Sequence, residues 1–217
     1  MSGGEFDLQQ IRRAIRGSGS ETIFFLLDDA LSLLPPAKLR KVLAQYLKPH
    51  QFISEGAVKR DLHAEVQAFQ RACLAGEYYE AFNVNYKNST QLSLGTMAWI
   101  ADFRRLLLNC VKQSKRQSLA SLRSSFEILF DLLDRFDDAD DRMVFFADEG
   151  GSWMVSVDWK QVLPAWFRVL SATADPAEFA RRFEAFVDRH RNYQRTELLA
   201  EAYKVATPAQ RQALAKS

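Results

Sequence analysis

The stretch LASLRSSFEILFDLLDRF, residues 119–136, has the clearest apolar pattern in the chain. Its large apolar residues recur at spacings of 3, 4, 3, 4 and 3, namely Leu119, Leu122, Phe126, Leu129, Leu133 and Phe136. Residues at these spacings share one face of an α-helix. The pattern lasts only about two and a half heptads, which is short for a dimeric coiled coil. We therefore expect this helix to pack inside a helical domain.

The segments before this helix are also amphipathic. Apolar residues at steps of 4, 4, 3 and 4 predict a helix ended by Gly76, and they are Val58, Leu62, Val66, Phe69 and Cys73. A short helix is expected around residues 78–86. The next helix is predicted to be capped by Ser89 or Thr90 and to run to about Gln113. Because its apolar residues lie on several faces, we expect it to be central.

Capping signals predict further helix ends. Ser18 and Glu21 fit a capping box at the start of an apolar helix. Asp158 can cap a helix that contains Pro164, and that helix either starts later or is kinked at the proline. The segments 175–178 and 207–210 each combine an N-cap residue, a following proline and Glu or Gln at the third helical position.

These patterns predict an all-α fold of about ten helices packed as helical hairpins, with an irregular α-solenoid-like array as an alternative. With 217 residues, 47% of them hydrophobic, the chain can bury a core unaided. We expect one domain over residues 1–217, with a candidate sub-division near 87–90 and an irregular connection at 137–158.

The connection contains the local feature that stands out most in this helical sequence. Gly150 and Gly151 are adjacent and permit positive φ, and Trp153 and Trp159 follow closely. In one interpretation both indoles fill the core beneath a long loop, as tryptophan usually does. In the other, the loop is a recognition element on a rigid scaffold. These four residues are therefore candidate interaction residues.

Charge is unevenly distributed although the net formal charge is only +2. Residues 103–126 hold six cations and no acid, namely Arg104, Arg105, Lys112, Lys115, Arg116 and Arg123. Residues 127–149 hold nine acids and two cations. Such segments usually form solvated faces. The alternative is a basic patch and an acidic patch for different partners.

The sequence contains no motif typical of catalysis, metal binding or phosphate binding. His50, His63 and His190 are isolated, without the close ligand pairs of zinc sites. No Gly-x-Ser-x-Gly and no P-loop occurs. We therefore expect no catalytic residues, no metal and no cofactor. Cys73 and Cys110 lie in apolar helical patterns and are expected to be free and buried.

Residues 145–153, read with Val157-Asp158-Trp159 and Val162-Leu163-Pro164, resemble a segment of uncharacterised bacterial helical proteins. The resemblance covers roughly residues 140–215. It implies a bacterial, cytoplasmic, helical protein and no particular activity.

Taken together, these features predict a non-enzymatic helical scaffold or adaptor that binds another protein through a groove or loop. The alternative is a helical nucleic-acid-binding protein that uses the basic 104–123 segment. The first residues lack the pattern of a secretory signal and no apolar run is long enough to span a membrane, so we expect a cytoplasmic protein without a membrane partner.

Overall fold

The structure is a computed structural model that describes residues 7–34, 36–43, 45–47, 61–115, 119–137, 142–147, 150–189 and 195–216. These ranges contain ten α-helices and no β-strand, so the predicted all-α class is confirmed. The helices are α1 Leu8–Gly17, α2 Ser20–Leu33, α3 Pro36–Leu43, α4 Leu62–Leu74, α5 Leu94–Gln113, α6 Leu119–Phe136, α7 Trp159–Thr173, α8 Pro176–Arg189, α9 Arg195–Val205 and α10 Pro208–Leu214, with a 3-10 helix at Ser152–Val155.

The chain divides into two compact units, Met1–Val58 and Lys59–Ser217. The candidate sub-division near residues 87–90 lies inside the second unit. That one domain spans residues 1–217 stays a prediction.

The first unit contains α1 to α3, and none of its described side chains is buried. Asp7 caps α1 by accepting the N–H groups of Gln9 and Gln10 at 2.8 and 3.2 Å. The predicted capping box at Ser18 and Glu21 is wrong. Ser18 is the C-cap residue of α1, and its hydroxyl donates to the carbonyl oxygen of Ala14 at 2.9 Å, so it cannot cap α2.

The second unit has a core in which α4 to α7 pack as successive neighbours, and α7 and α8 carry the last two helices. Helix α6 contacts α4, α5 and α7, helix α7 also contacts α5 and α9, and α8 contacts α9 and α10. This arrangement agrees with the predicted helical hairpins. The apolar face of α6 is buried from Leu122 to Phe136, and α5 is buried on several faces, as a central helix should be.

Aromatic rings fill much of this core. The Trp99 ring stacks on Phe103 and Phe136 with centroid separations of 5.0 and 4.3 Å. Its indole N–H donates to the sulfur of Cys73 at 3.0 Å. Cys73 and Cys110 are both free and buried, as predicted. Burial raises the pKa of each thiol to about 12, which keeps both protonated and unreactive near neutral pH.

Two predictions about the segment before α5 are wrong. Residues 78–86 form turns and irregular backbone instead of a helix. Helix α5 is capped by Ser93, whose hydroxyl oxygen accepts the Thr96 N–H at 3.0 Å, and not by Ser89 or Thr90. The Asn85 and Asn88 side chains accept nearby backbone N–H groups at 2.9 and 2.7 Å. Such local bonds compete with helix formation.

The helix starts predicted in the last third of the chain are confirmed. The Asp158 carboxylate accepts the Lys160 N–H at 3.1 Å at the start of α7. Asp175 caps α8, and Thr207 forms a complete capping box with Gln210. Pro164 lies inside α7, so this helix does not begin after the proline.

Candidate functional site

The two loop tryptophans have different environments. Trp153, on the 3-10 helix, is 69% exposed, while Val155 two residues later is fully buried. Trp159 is half-buried, with its ring 6.1 Å from that of Phe130 and 5.8 Å from that of Phe186. The interpretation that both indoles fill the core is therefore wrong for Trp153. Asp148 and Glu149, which precede the loop, lie outside the described residues.

We call residues 150–158 the Trp153 loop, and close packing fixes its first half. A Cβ on Gly150 would lie 1.9 Å from Cδ1 of Phe146, whose ring packs against Phe136 at 5.0 Å. The Ser152 N–H donates to Oδ1 of Asp137 at 2.5 Å. This bond ties the loop to the residue that directly follows α6.

Neither loop glycine adopts the left-handed conformation that the sequence permits. Gly151 has φ 163° and ψ 175°, which is extended backbone. At Gly150 a glycine is needed because a side chain would collide with the Phe146 ring. The left-handed residue is instead Ser156, with φ 51° and ψ 50°.

A non-glycine residue in this conformation costs about 1 kcal/mol or more and persists only where its surroundings determine it. Here Val155 is buried on one side of Ser156, and Asp158 caps α7 on the other. Both halves of the loop are thus held in place while the Trp153 side chain stays in solvent.

A second feature of the unit is a groove of about 520 Å³ between α7 and α9. Its apolar lining comprises Trp159, Leu163, Pro164, Leu198 and Ala200, and its charged lining comprises Lys160, Glu197 and Glu201. A groove between two helices with an apolar floor can accept apolar side chains of another helix or peptide.

The cations of the basic 104–123 segment do not act as one unpaired patch. Arg105 donates to Asp102 and Glu65 at 3.0 and 3.2 Å. Arg123 donates to Glu127 at 3.1 Å and is also bound to Glu178. These hydrogen bonds raise the pKa of Arg123 and lower that of Glu178.

The remaining cations of the segment differ in exposure. Lys112 and Lys115 are exposed at the end of α5, and Arg104 is half-buried. Arg116 lies outside the described residues. Two of the six predicted cations, Arg105 and Arg123, are thus paired with carboxylates within the protein.

The structure also places His63 beside Ser125, a contact that no pattern in the sequence predicts. His63 Nδ1 lies 3.0 Å from Ser125 Oγ, which resembles a base and a nucleophile. However, Ser125 is fully buried, and its hydroxyl donates to the carbonyl oxygen of Ser121 at 2.9 Å. The hydroxyl oxygen therefore accepts from His63, and the pair stabilises the packing of α4 on α6.

Within the described ranges, no three His, Cys, Asp or Glu side chains are arranged to hold a metal ion. In the same part of the chain, no helix combines the length and apolar character that crossing a bilayer requires.

The residue that sequence reasoning missed is Asp137. It belongs to an acidic run and looks like a solvated turn, and its bond to Ser152 spans 15 residues. No local pattern reveals such a contact.

The resemblance of residues 140–215 to bacterial helical proteins stays a prediction. No family model, curated protein or solved structure matches this chain.

Proposed function

We propose that this chain is a non-enzymatic helical scaffold or adaptor, and that it binds another protein through the Trp153 loop. The observation that carries the proposal is the 69% exposure of Trp153 on a loop fixed at both ends. A solvent-exposed indole contributes little to folding, because its apolar surface remains in water.

The same indole is well suited to binding. Tryptophan is enriched among the few interface residues that contribute most binding free energy. A loop that is already ordered loses little conformational entropy when a partner docks. Gly150 packed on Phe146, and Asp137 bonded to Ser152, supply that order here.

The groove between α7 and α9 adds a second candidate contact surface. Trp159 lines it with Leu163 and Leu198. A partner helix with apolar residues at i, i+3 or i+4 and i+7 fits the helix-in-groove mode.

The nucleic-acid alternative has less support. Lys112 and Lys115 favour it because both are exposed near the C-terminal end of α5. Arg105 and Arg123 count against it, because each already pairs with two carboxylates. Binding to a DNA or RNA oligonucleotide whose affinity falls steeply with log salt would support this alternative instead.

Quantitative affinity purification from the native host tests the proposal. Wild type, Trp153→Ala and Tyr86→Ala are compared, because Tyr86 is an exposed aromatic residue at 86% outside the loop. We expect a protein that co-purifies with wild type and with Tyr86→Ala but not with Trp153→Ala. With that protein purified, Trp153→Ala should weaken binding by about 2 kcal/mol or more, about thirtyfold in Kd. Equal capture and equal affinity for all three forms would refute the role of Trp153.

A further inference from the structure

The exposed indole of Trp153 has a carboxylate beside it. The position that a Cβ would take on Gly151 lies 3.0 Å from Oδ1 of Asp137 and 3.2 Å from Cδ1 of Trp153. The carboxylate oxygen and the indole edge therefore lie close to each other, and both pack against the buried backbone of Gly151. Asp137 is itself exposed, and only its Oδ1 is bonded to the Ser152 N–H.

The C-terminal end of α6 adds partial negative charge next to Asp137. Asp137 directly follows Phe136, the last residue of this 18-residue helix. The carbonyl oxygens of a helix C-terminus carry a partial negative charge that favours cations. Arg135 in the last turn donates to Asp131 at 3.1 Å.

We propose that Trp153 and Asp137 together bind a guanidinium group, that is, an arginine side chain presented by the protein partner. This inference rests on the proposed function and names the chemistry of its partner. A guanidinium stacks on an aromatic face and, in its own plane, donates hydrogen bonds to a carboxylate. The exposed indole offers a ring face and the neighbouring Asp137 offers a carboxylate, whereas an ammonium group would use the ring face less well.

Gly151 is part of this site because its lack of a side chain lets the two groups approach each other over its buried backbone. A side chain there would contact both Asp137 and Trp153. Gly151 has extended backbone that other residues adopt, so its small size is the property that matters.

The direct test uses the full chain and a blocked tripeptide with arginine between two glycines. NMR follows the indole N–H signal of Trp153, assigned by comparison with Trp153→Phe. We expect a saturable shift with a Kd in the millimolar range. The same peptide carrying citrulline, the neutral isostere of arginine, should cause no saturable shift.

Charge and size variants complete the test. Asp137→Asn keeps an acceptor for the Ser152 N–H but removes the charge, and should weaken binding about five- to tenfold. Gly151→Val should have a similar effect. Glu77→Gln removes an exposed acid elsewhere and should bind as wild type does. Equal binding of the citrulline peptide, unchanged affinity in Asp137→Asn, or no saturable shift with the arginine peptide would overturn the inference.

The purified partner separates this inference from the function on which it rests. If Trp153→Ala releases the partner but Asp137→Asn does not, the recognition role stands and the guanidinium inference fails. If neither variant releases it, the proposed function of the loop fails as well. If both variants release the partner, the recognition role of the loop and the guanidinium inference are both supported.

Discussion

Replacing Phe126 with alanine tests the packing of α6 in the core. Phe126 is fully buried, with its ring 5.9 Å from that of Phe130 and 5.7 Å from that of Trp166. Deleting a buried phenyl ring costs roughly 3–5 kcal/mol, because apolar burial is lost and a cavity remains. We expect a loss in this range, since these rigid aromatic neighbours cannot close the cavity fully.

Urea unfolding followed by tryptophan fluorescence measures this loss. All four tryptophans lie in Lys59–Ser217, so the signal reports on that unit. With a slope of about 2 kcal/mol per molar urea, the midpoint should fall by about 2 M. Tyr86→Ala, at an exposed position, should leave the midpoint unchanged. A change below about 1 kcal/mol for Phe126→Ala would show that this face is exposed and would restore the coiled-coil alternative.

Three further predictions concern stability. Gly150→Ala should destabilise by about 1–3 kcal/mol in the same urea assay, because its Cβ meets the Phe146 ring, and an unchanged midpoint would show that the loop is not packed there. Gln210→Ala should cost about 1–3 kcal/mol, because the buried amide donates to the carbonyl oxygens of Ser171 and Ala174, whereas exposed Gln212→Ala should be neutral. Stability should decline as pH rises from about 9 towards 12, since the unfolded thiols ionise first while burial holds the folded pKa of Cys110 at about 12. Cys110→Ala should make that decline shallower. An equal decline in wild type and Cys110→Ala would contradict a raised pKa of the Cys110 thiol in the folded protein.

The sequence predicts helices well where the signal is local. The face of α6, the caps at Asp158, Asp175 and Thr207, and the buried state of both cysteines depend on residues within a few positions of one another. Short-range periodicity and capping chemistry are sufficient for such features.

The errors occur where distant contacts decide the outcome. Ser93, not Ser89 or Thr90, caps α5, and Thr96 beside it donates to the carbonyl oxygen of Phe145, 49 residues away. The Trp153 loop is likewise tied to the end of α6 by the bond between Asp137 and Ser152, 15 residues apart. Composition and spacing around the loop do not contain that information. The sequence could therefore identify the loop as a candidate site but not decide between core and surface for its two indoles.

Exposure of Trp153 in the free protein is the central claim, and tryptophan emission measures it most directly. The spectrum of Trp153→Phe is subtracted from that of wild type, so that the difference isolates one indole among four. A side chain 69% exposed predicts a red-shifted difference spectrum that acrylamide quenches strongly. Trp99 and Trp166, both buried, should contribute the blue-shifted, protected part that remains. A blue-shifted, quencher-resistant difference spectrum would place Trp153 in the core and contradict its role as a recognition residue.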